Sequence, residues 1–253
     1  MNWPQEQASI TEQYRGNGFV IAKQFIDSDQ VSDIRARLDR YIQQVVPSLP
    51  PMDVFYEDKD ARNQIRMLPR MHEHDSKFDN LLTAGPLREI AEHLFGIEAV
   101  PRDTAYFNKL PHIGEATPPH QDGYYFHLDP CEALTLWLSL DDVDEDNACV
   151  RYVPGSHRRG MRPHGRTEVL GFSQGITDYN DGDQSQEVPA CVKPGDLIAH
   201  DAMTIHRTDA NRSNRPRRAL GFVYYSVRAK IDEDARDRYQ TQLSQELAAD
   251  GKI

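Results

Sequence analysis

Long apolar runs are missing from this sequence of 253 residues. No stretch approaches the roughly 18 apolar residues that a bilayer-spanning helix needs, so the reading gives no membrane partner. The first residues, Met1-Asn2-Trp3-Pro4-Gln5-Glu6-Gln7, lack the basic and apolar regions of a secretory signal. Cysteine is scarce. Cys131, Cys149 and Cys191 are odd in number and form no C-x-x-C pair, so they read as reduced residues in or near the core of a cytoplasmic protein. Basic residues are outnumbered, 29 Lys and Arg against 40 Asp and Glu, for a net charge of −11. That balance argues against nucleic acid or an anionic membrane as the general partner. Also absent are internal repeats, a P-loop, a dinucleotide-binding glycine fingerprint and an H-E-x-x-H helix.

What remains is ordinary globular material, 38% hydrophobic and 27% charged, long enough for one large domain with its own core. Gly18 to Ala22 reads as a short strand. Asp27-Ser28 caps a helix with an apolar face of Val31, Ile34, Leu38, Ile42 and Val45, broken by Pro47 to Pro51. Residues 52–75 are polar and mixed and fit no single pattern, reading either as a lid or substrate loop or as a surface connection. Pro86 and Gly96 bracket a second helix. From about residue 101 the pattern changes to short strands: 104–110, 117–122, 133–140, 148–153, 196–199, 204–208 and 218–227. Residues 154–190 read as a long loop, which a β domain carries mainly to serve a site. Residues 232–248 form a charged helix with Ala235, Tyr239, Leu243 and Leu247 on one side. Helices, then many strands, then a helix predict a mainly β protein with flanking helices around a double-stranded β-helix (jelly-roll, cupin-like) core. The division expected is one domain over 1–253: mostly helical support in 1–100, the jelly-roll core in 101–228 and the terminal helix in 229–253.

The chemistry-bearing feature is His120-Gln121-Asp122, with His206 and Arg217 far downstream. Two imidazoles and one carboxylate can occupy one face of an octahedral ion, the donor set of non-haem Fe(II) oxygenases. In an extended strand His120 and Asp122 point the same way, and Pro118-Pro119 favours an extended approach. A lone H-x-D recurs by chance, and Asp122-Gly123 could equally begin a turn. His206, in a polar stretch, reads equally as a ligand or as a surface residue. The run from Ala133 through Trp137 to Leu140, closed by Asp141-Asp142, reads as a buried strand.

His120-Gln121-Asp122, the strand around Trp137, the segment Asn147 to His157 and His206…Arg217 occur in one order that resembles the phytanoyl-CoA dioxygenase family of Fe(II)/2-oxoglutarate oxygenases. The resemblance covers about residues 12 to 228. It implies the same fold, and it implies Fe(II), 2-oxoglutarate and O2 as cofactor and cosubstrates, with release of succinate and CO2 on hydroxylation of a small molecule. It makes His120, Asp122 and His206 the metal ligands and Arg217 the partner of the distal carboxylate of 2-oxoglutarate. Arg218 is adjacent, and alternation lets only one of the two point inward. Thr208 sits where the family often has a hydroxyl residue bonding the same carboxylate. Gln121 and Trp137 match positions near the cosubstrate. Asn108 or Lys109 is expected to touch the cosubstrate or the substrate.

For the substrate two signals compete. Arg151, Arg158, Arg159, Arg162 and Arg166 form a local basic patch, either a mouth for an anion or a solvated loop paired with acids. Tyr124-Tyr125-Phe126 supplies an apolar wall, a cage for a quaternary amine, or core packing. Tyr124, Tyr125 and Arg151 are the substrate candidates. A different class of function also fits the fold: a jelly-roll protein that is a metal-dependent isomerase or a small-molecule binding module. A pure binding module has no need for a carboxylate clamp, so Arg217 with Thr208 is the discriminating feature.

Overall fold

The strand Ala133–Ser139 is buried at every position because it packs on both faces. In the computed structural model, which describes residues 1–58, 60–167 and 174–249, Leu134, Leu136 and Leu138 face a layer of helices. Trp137 faces a second sheet. Period-2 alternation therefore splits one apolar run between two interfaces, and the molecule has three layers: helices, a large sheet and a small sheet.

The large sheet holds seven antiparallel strands in the order Phe19–Ala22, Leu197–Asp201, Ala133–Ser139, Arg217–Ser226, Ala99–Lys109, Ile65–Leu68 and Phe55–Tyr56. The small sheet holds Val188–Ala190, Val150–Tyr152, His206–Thr208 and Thr117–His120. Phe19, Trp137, Ile198 and Ala219 of the large sheet pack against Val150, Tyr152 and Ala190 of the small one. This is the two-sheet packing of a jelly-roll, left open at its edges.

The helical layer follows from capping and amphipathy. Asp27 accepts from the Gln30 amide (2.8 Å) while Gln30 accepts from the Asp27 amide (3.0 Å), a capping box that starts Ser28–Gln44. Its buried face is Val31, Ile34, Leu38 and Tyr41; Ile42 and Val45 are only half-buried. Pro86–Phe95 begins on proline and ends at Gly96, whose φ of 68° is a left-handed conformation suited to glycine. Leu38, Phe78, Ile90 and Ile10 from four helices meet Leu136 and Phe222 of the large sheet.

Several expectations change. The strand read as 104–110 begins at Ala99 and pairs along all of Arg217–Ser226. The first hundred residues are mostly helical, but they also supply three strands to the large sheet, two of them from the segment 52–75. The helix Gln7–Asn17 buries only Ile10 and Tyr14, too few apolar positions to signal itself. The stretch 154–190 is not a bare loop. It contains the hairpin His164–Arg166 with Gln174–Ile176, a helical turn at Asp181–Gln184 and the edge strand Val188–Ala190; residues 168–173 lie outside the described residues. The last helix runs Glu233–Ala249, with Ala235, Tyr239 and Leu243 half-buried; the Leu247 side chain lies outside what is described. Among the described residues no helix is long and apolar enough to cross a membrane.

Candidate metal centre

His120 closes the strand Thr117–His120, and His206 opens its neighbour His206–Thr208. The two are register partners, which brings their rings to 4.2 Å between centroids. Asp122 arrives differently from the extended geometry expected. The strand stops at His120, and Asp122 (φ −56°, ψ −35°) already has the helical conformation of the turn Gly123–Phe126. A side chain at Gly123 would run into Cys131 Sγ at 2.5 Å, so glycine lets this turn pack close. The turn still delivers the carboxylate: Asp122 Oδ1 is 3.4 Å from His120 Nε2 and 3.6 Å from His206 Nε2. One donor atom from each residue lies within 4.8 Å of the others.

Both rings are oriented by backbone carbonyls. His120 Nδ1 donates to Pro118 O (2.8 Å) and His206 Nδ1 to Thr204 O (3.0 Å). A carbonyl only accepts, so each Nδ1 carries the proton and each Nε2 lone pair faces Asp122. The second carboxylate oxygen is held as well. Asp122 Oδ2 accepts from Thr135 Oγ1 (2.7 Å) and His200 Nε2 (3.1 Å). The Tyr152 hydroxyl donates to His200 Nδ1 (2.9 Å), fixing the His200 tautomer. Oδ1 is left aimed at the two imidazoles.

Ionisation follows the same design. Burial pushes the Asp122 carboxyl up, but the pull of the neighbouring imidazoles, His206 first, and the hydrogen bond from His200 outweigh it, and the group sits well below the usual carboxylate range. Burial, with His120 beside it, brings His206 down to about 3. An ionised carboxylate and neutral imidazoles are what a divalent ion requires of its ligands.

The three donors open onto a cavity between the two sheets. Arg217 lines it, 4% exposed, with its guanidinium 5.3 Å above the Trp137 ring. Among the described residues its Nε has no hydrogen-bond partner, and burial lowers its pKa to about 10. Arg218 points the other way, to Asp141 at 2.8 Å. Thr208 shares the cavity face with His206, and its Oγ1 accepts from the Thr117 amide (3.3 Å). Asn108 and Lys109 both line the cavity. Asn108 donates to Ile65 O (2.9 Å), while its Oδ1 has no partner among the described residues. Lys109 Nζ donates to Glu115 O.

Four sequence candidates are placed elsewhere. Gln121 is fully buried, and its amide is committed to backbone. It donates to Gly160 O and Met203 O and accepts from the Arg162 amide. It fixes the loop after the ligand strand and is not part of the cavity lining. Arg151 alternates with Val150 and Tyr152, which take the cavity face. It therefore projects outward, paired with Asp209 (2.8 Å) and Glu145 (2.5 Å). Arg162 likewise pairs with Asp178 and Asp183, so this part of the basic patch is neutralised by acids. Tyr124 stacks on His164, with centroids 4.3 Å apart. Tyr125 presents its edge to His120 at 6.2 Å and donates to Gln174 O (2.6 Å). Both tyrosines border the ligands without lining the cavity.

The sequence reading missed Thr135, His200, Tyr152 and the cavity residue Arg66. Thr135 had a signal, because it lies two residues from Trp137 on the same strand face. His200 is the register partner of Thr135, a relation visible only once the strands are paired.

Comparison with known proteins agrees with this architecture. The model of the phytanoyl-CoA dioxygenase (PhyH) family matches residues 14–219. The peroxisomal phytanoyl-CoA dioxygenase of Mus musculus is 25% identical over 220 residues, 82% of this chain but only 64% of the mouse protein, just under two thirds of its length. The phytanoyl-CoA dioxygenase of Arabidopsis thaliana is 25% identical over 240 residues, 81% of this chain and 84% of that one. Among solved structures, the epimerase SnoN in complex with Fe3+, alpha ketoglutarate and nogalamycin RO superposes with a TM-score of 0.74 at 22% identity, covering 90% of this chain and 86% of that one. EctD from S. alaskensis with 2-oxoglutarate and 5-hydroxyectoine gives 0.71 at 18%, covering 87% and 76%. At these identities the superpositions speak for the fold, while the family match spans most of the sequence. The chain belongs to the phytanoyl-CoA dioxygenase family.

Proposed function

We propose that the protein is an Fe(II)/2-oxoglutarate-dependent dioxygenase that hydroxylates a small molecule with release of succinate and CO2. The observation that carries the reading is one cavity lined by a two-imidazole, one-carboxylate donor set and by a buried arginine whose Nε has no partner among the described residues. The donor set fits Fe(II), held by His120, Asp122 and His206. The guanidinium of Arg217 fits the distal carboxylate of 2-oxoglutarate, with Thr208 beside it. When bound, iron supplies the O2 chemistry: oxidative decarboxylation of 2-oxoglutarate and oxidation of a substrate C–H bond. The chain's own work is positional. Thr135 and His200 hold Asp122, and Pro118 O and Thr204 O hold the imidazoles.

Residues 1–253 are taken as one domain, because the large sheet draws strands from 19–68 as well as 99–226. Arg66 is paired with Glu57 at 3.2 Å, so Lys109, beside Arg217 in the cavity wall, is what favours a substrate with an anionic group. A different oxidative outcome from the same machinery is favoured by SnoN, an alpha ketoglutarate dependent epimerase, and SnoK, an alpha ketoglutarate dependent carbocyclase.

The test is anaerobic titration with Fe(II) and 2-oxoglutarate, read by the charge-transfer band expected near ~500 nm when the keto acid chelates Fe(II). It is followed by succinate release with candidate anionic and quaternary-amine substrates. Asp122→Ala and Arg217→Ala should lose or weaken the band. A folded, iron-loaded chain with no band, or a metal-dependent activity indifferent to 2-oxoglutarate, would favour the isomerase or binding-module alternative.

A further inference from the structure

Two of the three thiols meet at the edge of the small sheet. Cys149 precedes Val150–Tyr152, and Cys191 follows Val188–Ala190. These strands pair antiparallel, Val188 with Tyr152, Pro189 with Arg151 and Ala190 with Val150. One further step along the ladder sets Cys191 opposite Cys149.

The ladder tells which kind of pair this is. Pro189 has no N–H, so Pro189 and Arg151 cannot exchange two hydrogen bonds. Hydrogen-bonded and non-hydrogen-bonded pairs alternate, so the pair two residues on, Cys191 with Cys149, is non-hydrogen-bonded too. In agreement, the Cys149 amide donates to Asp144 O (2.9 Å). Such pairs bring Cα atoms to about 4.5 Å, within the range of about 4.4–6.8 Å that a disulfide spans. Access is asymmetric. Cys149 is 1% exposed and packs with Trp137, Val150 and Tyr152, whereas Cys191 is exposed. An accessible sulfur beside a sheltered resolving sulfur is the arrangement of reversible oxidation sites.

We propose that Cys149 and Cys191 form a reversible oxidative modification site that closes to a disulfide when Cys191 meets a hydroperoxide. The Cys191 thiolate attacks the peroxide O–O bond. Its sulfur is oxidised to a sulfenic acid, and with hydrogen peroxide the second oxygen leaves as water. The Cys149 sulfur then displaces the sulfenic hydroxyl, which takes the Cys149 proton and departs as a second water. Two thiols lose two hydrogens in all, and an external thiol reductant restores them. Burial and the neighbouring Cys191 raise the Cys149 thiol to about 12, so Cys149 enters protonated, as the second partner. The bridge ties the edge strand Val188–Ala190 to the strand whose Val150 and Tyr152 line the cavity. This chemistry needs neither iron nor 2-oxoglutarate and stands apart from the activity proposed above.

The test uses the full chain, stripped of metal and kept in chelator, exposed to hydrogen peroxide and then unfolded in an alkylating reagent. The expected result is loss of two of three alkylatable thiols, a mass lower by two hydrogens, and a Cys149–Cys191 linked peptide that dithiothreitol reverses. Cys131 is the internal control. Cys191→Ser should abolish the link and leave Cys149 alkylatable; Cys149→Ala should leave a sulfenic acid at Cys191 that dimedone traps. Cys191 carried to sulfinic acid, joined to a second chain or unreactive, with Cys149 still alkylatable, overturns the proposal.

Discussion

Lys109 and Arg217 are register partners on adjacent antiparallel strands, two buried cations directly opposite each other. Like charges so placed oppose folding. Burial first, then Arg217 and Arg66, hold the Lys109 ammonium well below its usual range. Between that lowered value and the unfolded value, the unfolded chain binds more protons. The stability of the ligand-free protein should therefore rise with pH across this window, while below it the full cost of a buried charge remains. Lys109→Met should stabilise the ligand-free chain at neutral pH by about 1 kcal/mol and shrink the rise in Tm that 2-oxoglutarate gives. Scanning calorimetry with and without 2-oxoglutarate checks both. A lower Tm with an unchanged ligand shift would place Lys109 outside the anion's field.

Arg217 and Arg218 should separate cleanly. Arg217→Ala is expected to weaken 2-oxoglutarate binding about 100-fold, the loss of a charge-assisted contact of roughly 3 kcal/mol. Arg218→Ala should leave the Kd unchanged and lower Tm, because Asp141 loses its 2.8 Å partner. Calorimetric titration of the iron-loaded protein distinguishes them, and equal losses in both would refute the assignment by strand face.

The grip on Asp122 Oδ2 makes its own prediction. Thr135→Val and His200→Phe each keep all three proposed ligands, yet each should reduce metal affinity by about 10- to 100-fold. His200→Gln, which can still donate to Oδ2, should recover part of the loss. Competition against a chelator of known affinity measures it, and affinities equal to wild type in all three variants would show that Asp122 needs no such support.

Gln121 and Arg151 should behave as structural residues. Gln121→Ala leaves Gly160 O, Met203 O and the Arg162 amide without their partner, a cost of about 3 kcal/mol. The metal and 2-oxoglutarate affinity of the folded fraction should be unchanged. Arg151→Ala, at a partly exposed ion pair, should cost less than about 1 kcal/mol and leave KM alone. A selective loss of 2-oxoglutarate affinity in Gln121→Ala would return that residue to the site.

The sequence displayed whatever depends on local rules. Asp27 and its apolar face announced one helix, Pro86 and Gly96 another, and alternation required that only one arginine of the pair at 217–218 point inward, with Arg217 chosen by its match to the family. It failed where the answer lies in pairing between distant strands. His200 is 78 residues from Asp122, and only the register of Leu197–Asp201 against Ala133–Ser139 puts it across from Thr135. Arg151 was misplaced although the rule was at hand, because its neighbours Val150 and Tyr152 had not been recognised as cavity residues. His120 and Asp122 converge as expected, but through a helical turn, since the strand ends where its partner His206 begins.

The guanidinium of Arg217 over the Trp137 ring also gives the protein an internal optical probe. The chain has two tryptophans, and Trp3, set edge-on to His93, can be replaced by phenylalanine to leave a single emitter. An anion drawn to Arg217 changes the field above the remaining indole, so occupancy of the cavity can be followed as a shift in intrinsic fluorescence, without label, turnover or oxygen.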